Sequence, residues 1–178
     1  VIGCGRMGRH HSRILQQDGR GTAVALLDRS LAAAAELQSA LWPQADVCRT
    51  EDELFDRDGI DAVILCTPTV EHFSQAMRSL DRGWHVLCEK PLASNVAEAE
   101  EMAKVARETG LVLSEAFAYR YHPLTERVKQ IMKSGELGRI QHIDAQFCFM
   151  LPAPNNIRFN YDLAGGALMD CGCYPVSL

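Results

Sequence analysis

Short, nearly continuous apolar runs alternate along the first two thirds of the chain with longer segments whose apolar residues recur at helical spacing. Residues 22–28, 61–66, 85–88 and 111–114 each predict a strand, 22–28 a buried one, and the continuous apolar run at 61–66 is of the kind covered on both faces of a parallel sheet. A shorter strand is predicted at 47–48. Helices are predicted over 31–41, 70–82 and 96–109, with Trp42-Pro43, Gly83 and Gly110 as their stops. Thr50-Glu51-Asp52-Glu53 reads as a capping box that opens another helix, Thr50 capping and Glu53 reciprocating. Repeated β-α alternation with short connections implies α/β architecture, a parallel sheet wound on both faces, over residues 1–118. The pattern then changes. A helix at 124–134 is punctuated by Gly135 and Gly138, and residues 140–147 alternate apolar with mostly polar positions. Period two over that length predicts a half-exposed strand of an open sheet, hence the start of a second, α+β domain over 119–178.

Composition narrows the function classes. The 178 residues are 47% hydrophobic, enough for a core, and no apolar stretch approaches the ~20 residues that span a bilayer. Eighteen Lys+Arg against 23 Asp+Glu leave a net charge of −5, and no basic cluster neutralises a run of phosphates, so neither a nucleic acid nor a membrane is expected as partner. The chain reads as soluble and cytoplasmic. Seven scattered cysteines, an odd number in mostly apolar contexts, fit reduced core thiols better than a disulfide framework, and their spacing suggests no metal site. Only Val1-Ile2 precede the first glycine, and residues 174–178 lie in what reads as a fresh helix without a terminator. These ends are expected of a fragment of a longer protein.

The first chemical motif is Gly3-Cys4-Gly5-Arg6-Met7-Gly8. A tight turn and the close approach of a pyrophosphate demand residues without a β-carbon, and the third glycine lets a helix pack on its strand. A helix starting near Met7 then turns its unpaired N–H groups toward the phosphates. Asp28 closes the next strand 20 residues beyond Gly8, where a carboxylate accepts ribose hydroxyls and repels a 2′-phosphate, which points to NAD. Its neighbour Arg29 is placed to stack on adenine or pair with that phosphate, so NADP stays open.

Cys66-Thr67-Pro68-Thr69-Val70-Glu71-His72 and Glu89-Lys90-Pro91 both follow predicted parallel strands, at the sheet edge where ligands bind. Thr67, Pro68, His72, Glu89 and Lys90 therefore join the cofactor-binding candidates, His72 reading equally well as a residue that lines the nicotinamide side of the cleft or as one that stabilises the turn. The glycine loop, the T-P-x-x-x-H turn and E-K-P, in this order and spacing, resemble the glucose-fructose oxidoreductase / inositol dehydrogenase (Gfo/Idh/MocA) family across essentially the whole chain. The resemblance implies an N-terminal Rossmann domain and a C-terminal α/β domain whose open sheet mediates homo-oligomerisation.

Residues 165–174, GGALMDCGCY, place Asp170 and Tyr174 four apart, on one face if the segment is helical, with Gly172 leaving room nearby. Most members of the family carry His where this chain has Tyr174. The chain resembles instead the branch of dihydrodiol dehydrogenases and certain sugar dehydrogenases, in which Tyr takes the acid/base role; residues 115–123 and Asn156-Ile157-Arg158 resemble that branch as well. Oxidising a secondary alcohol needs a hydride acceptor and a base within reach of the hydroxyl proton. A phenol with a pKa near ~10 becomes such a base when an ammonium stabilises its phenolate. The catalytic expectation is therefore Tyr174 as proton donor or acceptor, Lys90 as the ammonium, and Asp170 orienting Lys90 or a substrate hydroxyl. The expected activity is NAD(P)-dependent hydride transfer to or from a sugar or cyclic secondary alcohol. Alternatives are an NAD-dependent glycosidase working by transient oxidation and elimination, and a non-catalytic dinucleotide-sensing regulator. His10 and His11 read as packing or surface residues; for His122, Arg120 and Arg158 substrate contact competes with simple packing.

Overall fold

The computed structural model describes residues 1–151, 153 and 156–178, which form two compact units, Val1–Glu115 and Ala116–Leu178. In the first, strands β1 (Ala25–Leu27), β2 (Asp46–Cys48), β3 (Ala62–Leu65), β4 (His85–Cys88) and β5 (Leu113–Glu115) alternate with helices α1 (Arg6–Asp18), α2 (Leu31–Leu41), α3 (Glu51–Phe55), α4 (Thr69–Asp81) and α5 (Val96–Thr109). All strand pairs are parallel: β1 with β2, β3 with β4, and β4 with β5. The seam between the two groups is Ile2, which bridges to Leu27 on one side and Leu65 on the other. The Ile2 N–H donates to the Ile64 carbonyl at 2.9 Å and the Cys66 N–H to the Ile2 carbonyl at 2.7 Å. The resulting order, β2-β1-Ile2-β3-β4-β5, reverses direction at Ile2, so the residues that follow it open onto the crevice where doubly wound sheets bind ligands.

Strand alternation divides the core. Ala25 and Leu27 join Ile2, Val63, Leu65 and Val86 beneath α4 and α5, whereas Leu26 faces the other way, packing with Cys4, Ala34 and Leu37 against α2. The continuous apolar runs arise here because each strand must satisfy both layers. Side-chain caps and a glycine stop close the elements. Ser30 and Asn95 accept N–H bonds from Ala33 and Glu98 as N-caps, and Gly110 ends α5 at φ 70°. The Glu53 N–H donates to Thr50 Oγ1 at 3.1 Å, while the Glu53 carboxylate accepts from the Arg49 N–H, one residue earlier than a standard capping box reaches.

The second unit holds a 3₁₀ turn at Ala118–Tyr121, helix α6 (Pro123–Ser134), further 3₁₀ turns at Ile157–Phe159 and Tyr161–Leu163, and a π-helical turn, Leu168–Gly172, that continues into α7 (Cys173–Ser177). The strand expected at 140–147 does not form. Alternation is a necessary condition for a half-exposed strand, but a strand exists through its ladder, and no described segment of this unit pairs with it. Among the described residues no helix is long and apolar enough to cross a membrane.

Candidate cofactor and catalytic site

The three glycines of the loop have different neighbours, which separates their roles. A Cβ on Gly3, whose φ is +88°, would lie 2.6 Å from the Cys66 carbonyl; one on Gly8 would lie 1.9 Å from the Gly3 oxygen. Both positions are closed by backbone, the first by the next strand and the second by the turn itself. Gly5 is the exception: its Cβ would meet nothing within 4 Å, and the residue lines a cavity of about 380 Å³ at the carboxyl ends of the strands. Gly5 also precedes α1, with no side chain capping that helix, so the first-turn N–H groups face a space a pyrophosphate can occupy.

Of the cofactor-binding candidates, the cavity gathers Gly3, Gly5, Asp28, Arg29, Thr67 and Pro68 along its wall. Arg6, Met7 and Gly8 open α1 behind the loop; His72, Glu89 and Lys90 lie behind or beyond the wall. Asp28 is already engaged: one carboxylate oxygen accepts the Cys4 N–H at 2.6 Å and the other the Ser30 N–H at 2.8 Å. Its charge thus clamps the glycine loop to the end of β1, which part-satisfies the carboxylate before any ribose arrives. Arg29 pairs with Glu71. Cys66 also lines the cavity, and burial pushes its thiol up to about 12, so it stays a neutral wall atom at physiological pH.

On and behind that wall, which Glu51 and Gln75 also line, polar side chains fix the two ligand-facing loops. Thr67 Oγ1 donates to Gln75 Oε1, and Gln75 Nε2 donates to Glu51 Oε1, each at 2.7 Å. His72 is 1% exposed, with Nδ1 3.0 Å from the Pro91 carbonyl and Nε2 3.0 Å from the Thr67 carbonyl. Of the two roles the sequence offers His72, lining the cleft or stabilising a turn, the structure shows the contacts of the second, a brace between the Thr67-Pro68 turn and the Glu89-Lys90-Pro91 turn. Glu89 meets His11 across 2.7 Å and also accepts the Lys90 N–H at 3.3 Å, while the Leu92 N–H donates to Glu115 Oε1 at 2.8 Å. The Lys90-Pro91 peptide is cis. From the sequence His11 reads as a packing or surface residue, and no local pattern pairs it with a carboxylate 78 positions away.

Burial holds the His72 imidazole below its ordinary value, against the raising influence of the Pro91 and Thr67 carbonyls. The native state then binds fewer protons than the unfolded chain around pH 6. Its contribution to stability is complete above the unfolded pKa of about 6.5 and is lost as pH falls from there toward the folded value. The Tm difference between wild type and His72→Gln is therefore expected to narrow between about pH 7.5 and 5.5. A difference that stays constant over that range would show that His72 does not titrate differently on unfolding.

In the second unit, Asp170 and Tyr174 share one continuous helical segment across the π turn into α7. Asp170 Oδ2 accepts from Arg158 Nε at 2.5 Å, and Arg158 Nη1 reaches Asn156 Oδ1 at 3.3 Å. Asp170 is thus joined to Arg158, a partner that the sequence did not assign to it. The Tyr174 ring packs against Phe147 at 4.9 Å, Phe117 at 5.3 Å and Tyr119 at 5.7 Å between centroids. The room expected at Gly172 is taken by Leu168, whose Cδ1 would lie 2.7 Å from an added Cβ. Lys90, by contrast, belongs to the first unit.

Residues 1–117 match the family described as oxidoreductase family, NAD-binding Rossmann fold, and residues 125–178 match the GFO/IDH/MocA C-terminal domain. The chain is 42% identical over 127 residues to D-xylose 1-dehydrogenase (NADP(+)) 2 of Haloferax volcanii, covering 71% of this chain and 39% of that enzyme. It is 36% identical over 155 residues to the dTDP-3,4-didehydro-2,6-dideoxy-alpha-D-glucose 3-reductase of Streptomyces antibioticus, covering 87% and 47% respectively. A crystal structure of a 3-ketoreductase from Actinomadura kijaniata in complex with NADP and TDP-benzene superposes with a TM-score of 0.89 at 33% identity, over 99% of this chain and 54% of that one. The chain therefore spans about half the length of the curated relatives it matches.

Proposed function

The chain belongs to the Gfo/Idh/MocA oxidoreductase family, and from that membership we propose that the protein transfers a hydride between NADP and a sugar or other cyclic secondary alcohol or ketone. The observation that carries the reading is Gly5: closed glycines on either side hold the loop, and the one open position faces a cavity of about 380 Å³. The relatives add direction, since the Haloferax enzyme is named for NADP and the Actinomadura reductase was crystallised with it.

NADP replaces the NAD that Asp28 suggested from sequence. That inference assumed a carboxylate turned to the ribose with its charge unspent, whereas each Asp28 oxygen already accepts a backbone N–H. Arg29 and Arg49 both stand on the cavity wall, so positive charge lies within reach of a 2′-phosphate there.

When bound, the nicotinamide supplies the site that accepts or gives the hydride. The chain's own part is proton transfer and positioning. Tyr174 donates or accepts the proton of the reacting oxygen, Lys90 holds that oxygen and favours the phenolate, and Asp170, oriented by Arg158, fixes a neighbouring hydroxyl or the ammonium. Support for these roles comes from the chemistry of the residue types and from the way each is braced within its own unit. The exposed apolar side chains of Ile143, Phe147 and Phe149 on the second unit support self-association of the whole protein as a homo-oligomer.

The test is a fluorescence titration of the whole protein with NADPH and NADH. NADPH is expected to bind at least about 10-fold more tightly, the minimum that one charge-assisted contact provides. Equal or tighter binding of NADH would return the cofactor to NAD, and binding of neither would remove the dinucleotide reading.

A further inference from the structure

We propose that Arg49 is the residue that recognises the 2′-phosphate of the cofactor, and so the determinant of NADP over NAD; this rests on the reading of the cavity as an NADP site. The placement follows from strand register. β1 and β2 run parallel with Leu27 opposite Cys48, so the next position on each strand sets Arg49 alongside Asp28. Neighbouring strands lie ~4.8 Å apart, which puts the base of the Arg49 side chain within one strand's width of the carboxylate at the ribose end of the cavity. Arg49 lines that cavity.

Charge accounting singles it out. The other arginines around this edge are engaged: Arg29 with Glu71, Arg57 with Asp46, and Arg78 with both Glu51 and Asp52. Arg49 is held only through its backbone, whose N–H donates to Glu53, and among the described residues its guanidinium makes no ion pair or hydrogen bond. A guanidinium that is exposed, unpaired and beside a cavity meets a phosphomonoester dianion without first giving up a partner, and its planar fork binds two phosphate oxygens at once. The ligand chemistry is therefore a ribose carrying a 2′-phosphate. NADH lacks that group and has nothing for Arg49 to hold.

Calorimetric titration of the whole wild-type protein and of Arg49→Gln with NADPH, NADH and 2′,5′-ADP separates the possibilities. Expected for Arg49→Gln is a rise of about 10- to 100-fold in Kd for NADPH and 2′,5′-ADP with an unchanged Kd for NADH, and partial recovery in Arg49→Lys, which restores the charge without the fork. The wild-type salt dependence of NADPH binding is expected to flatten in Arg49→Gln. Unchanged NADPH affinity in Arg49→Gln, or an equal loss for NADH and NADPH, overturns the assignment while leaving the NADP reading in place. Wild-type protein that prefers NADH and ignores 2′,5′-ADP overturns the NADP reading, and the role of Arg49 falls with it.

Discussion

Gly5→Val is expected to give a folded protein that no longer binds NADP(H), whereas Gly8→Ala is expected not to reach the native fold. The two substitutions fall three residues apart in one loop, and only their surroundings distinguish them. An added Cβ at Gly5 meets no protein atom within 4 Å, and the residue sits at φ −71°, a backbone conformation open to any side chain, so the native state tolerates the change. The isopropyl group instead projects into the cavity where the pyrophosphate must approach the backbone, and the loss of affinity is expected to exceed about 100-fold. At Gly8 the new Cβ falls 1.9 Å from the Gly3 carbonyl oxygen, a contact that no rotamer relieves because both atoms belong to backbone positions. Relief would require separating α1 from the loop, and with it the Cys4-to-Asp28 hydrogen bond that ties the loop to β1. Circular dichroism melts and NADPH titration of both variants check the pair. Native affinity in folded Gly5→Val would mean that the cavity does not hold the pyrophosphate; a native melt for Gly8→Ala would mean that the close packing of α1 on the loop is not required for folding.

Lys90→Ala and Tyr174→Phe are each expected to lower turnover of the whole protein by about 10²- to 10⁴-fold, the usual cost of losing a positioned acid–base group, while leaving the Kd for NADPH nearly unchanged. Tyr174→Phe keeps the aromatic packing around the ring. Phenylalanine keeps the ring contacts that Tyr174 makes with Phe147 and Phe117, and removes only the hydroxyl. The loop carrying Lys90 is held by His72 on the Pro91 carbonyl, by Glu89 against His11 and by Glu115 on the Leu92 N–H, none of which uses the lysine ammonium. Rates measured over a pH series with a panel of aldoses and cyclic diols give the readout. Near-native turnover in Tyr174→Phe would move proton transfer to another group, with His122 next: its Nδ1 accepts the Leu124 N–H at 3.1 Å as the cap of α6, which leaves Nε2 for chemistry. Near-native turnover in Lys90→Ala would remove the proposed mechanism. Net reduction of added NADP by substrate also separates a dehydrogenase from a glycosidase that returns its hydride.

The class of the first unit was legible because its signals are local. The apolar run at 61–66 announces a buried parallel strand; Thr50 announces a helix start; glycines at fixed spacing announce a loop that Gly3 and Gly8 can close only without a β-carbon and that Gly5 leaves open. Each is a property of neighbours in sequence, so each survives without knowledge of the rest of the chain. The same logic failed at 140–147, where the alternation is real but a ladder partner is needed to turn it into a strand.

What the tertiary structure decided was which side chains meet, and therefore what each candidate residue does. Of the two roles open to His72, it takes up the bracing contacts between two loops because α4 turns its ring onto the Thr67 and Pro91 carbonyls. Asp28 became a clamp on the Cys4 N–H once Ile2 was seated between β1 and β3. Arg49 came to the cavity through the register of β1 against β2, His11 reached Glu89 across 78 residues, and Arg158 closed on Asp170 through a turn with no helical repeat to foretell it. Propensity and periodicity act over a few residues, whereas a contact between distant side chains depends on strand order, register and crossover, which no stretch of the chain carries alone.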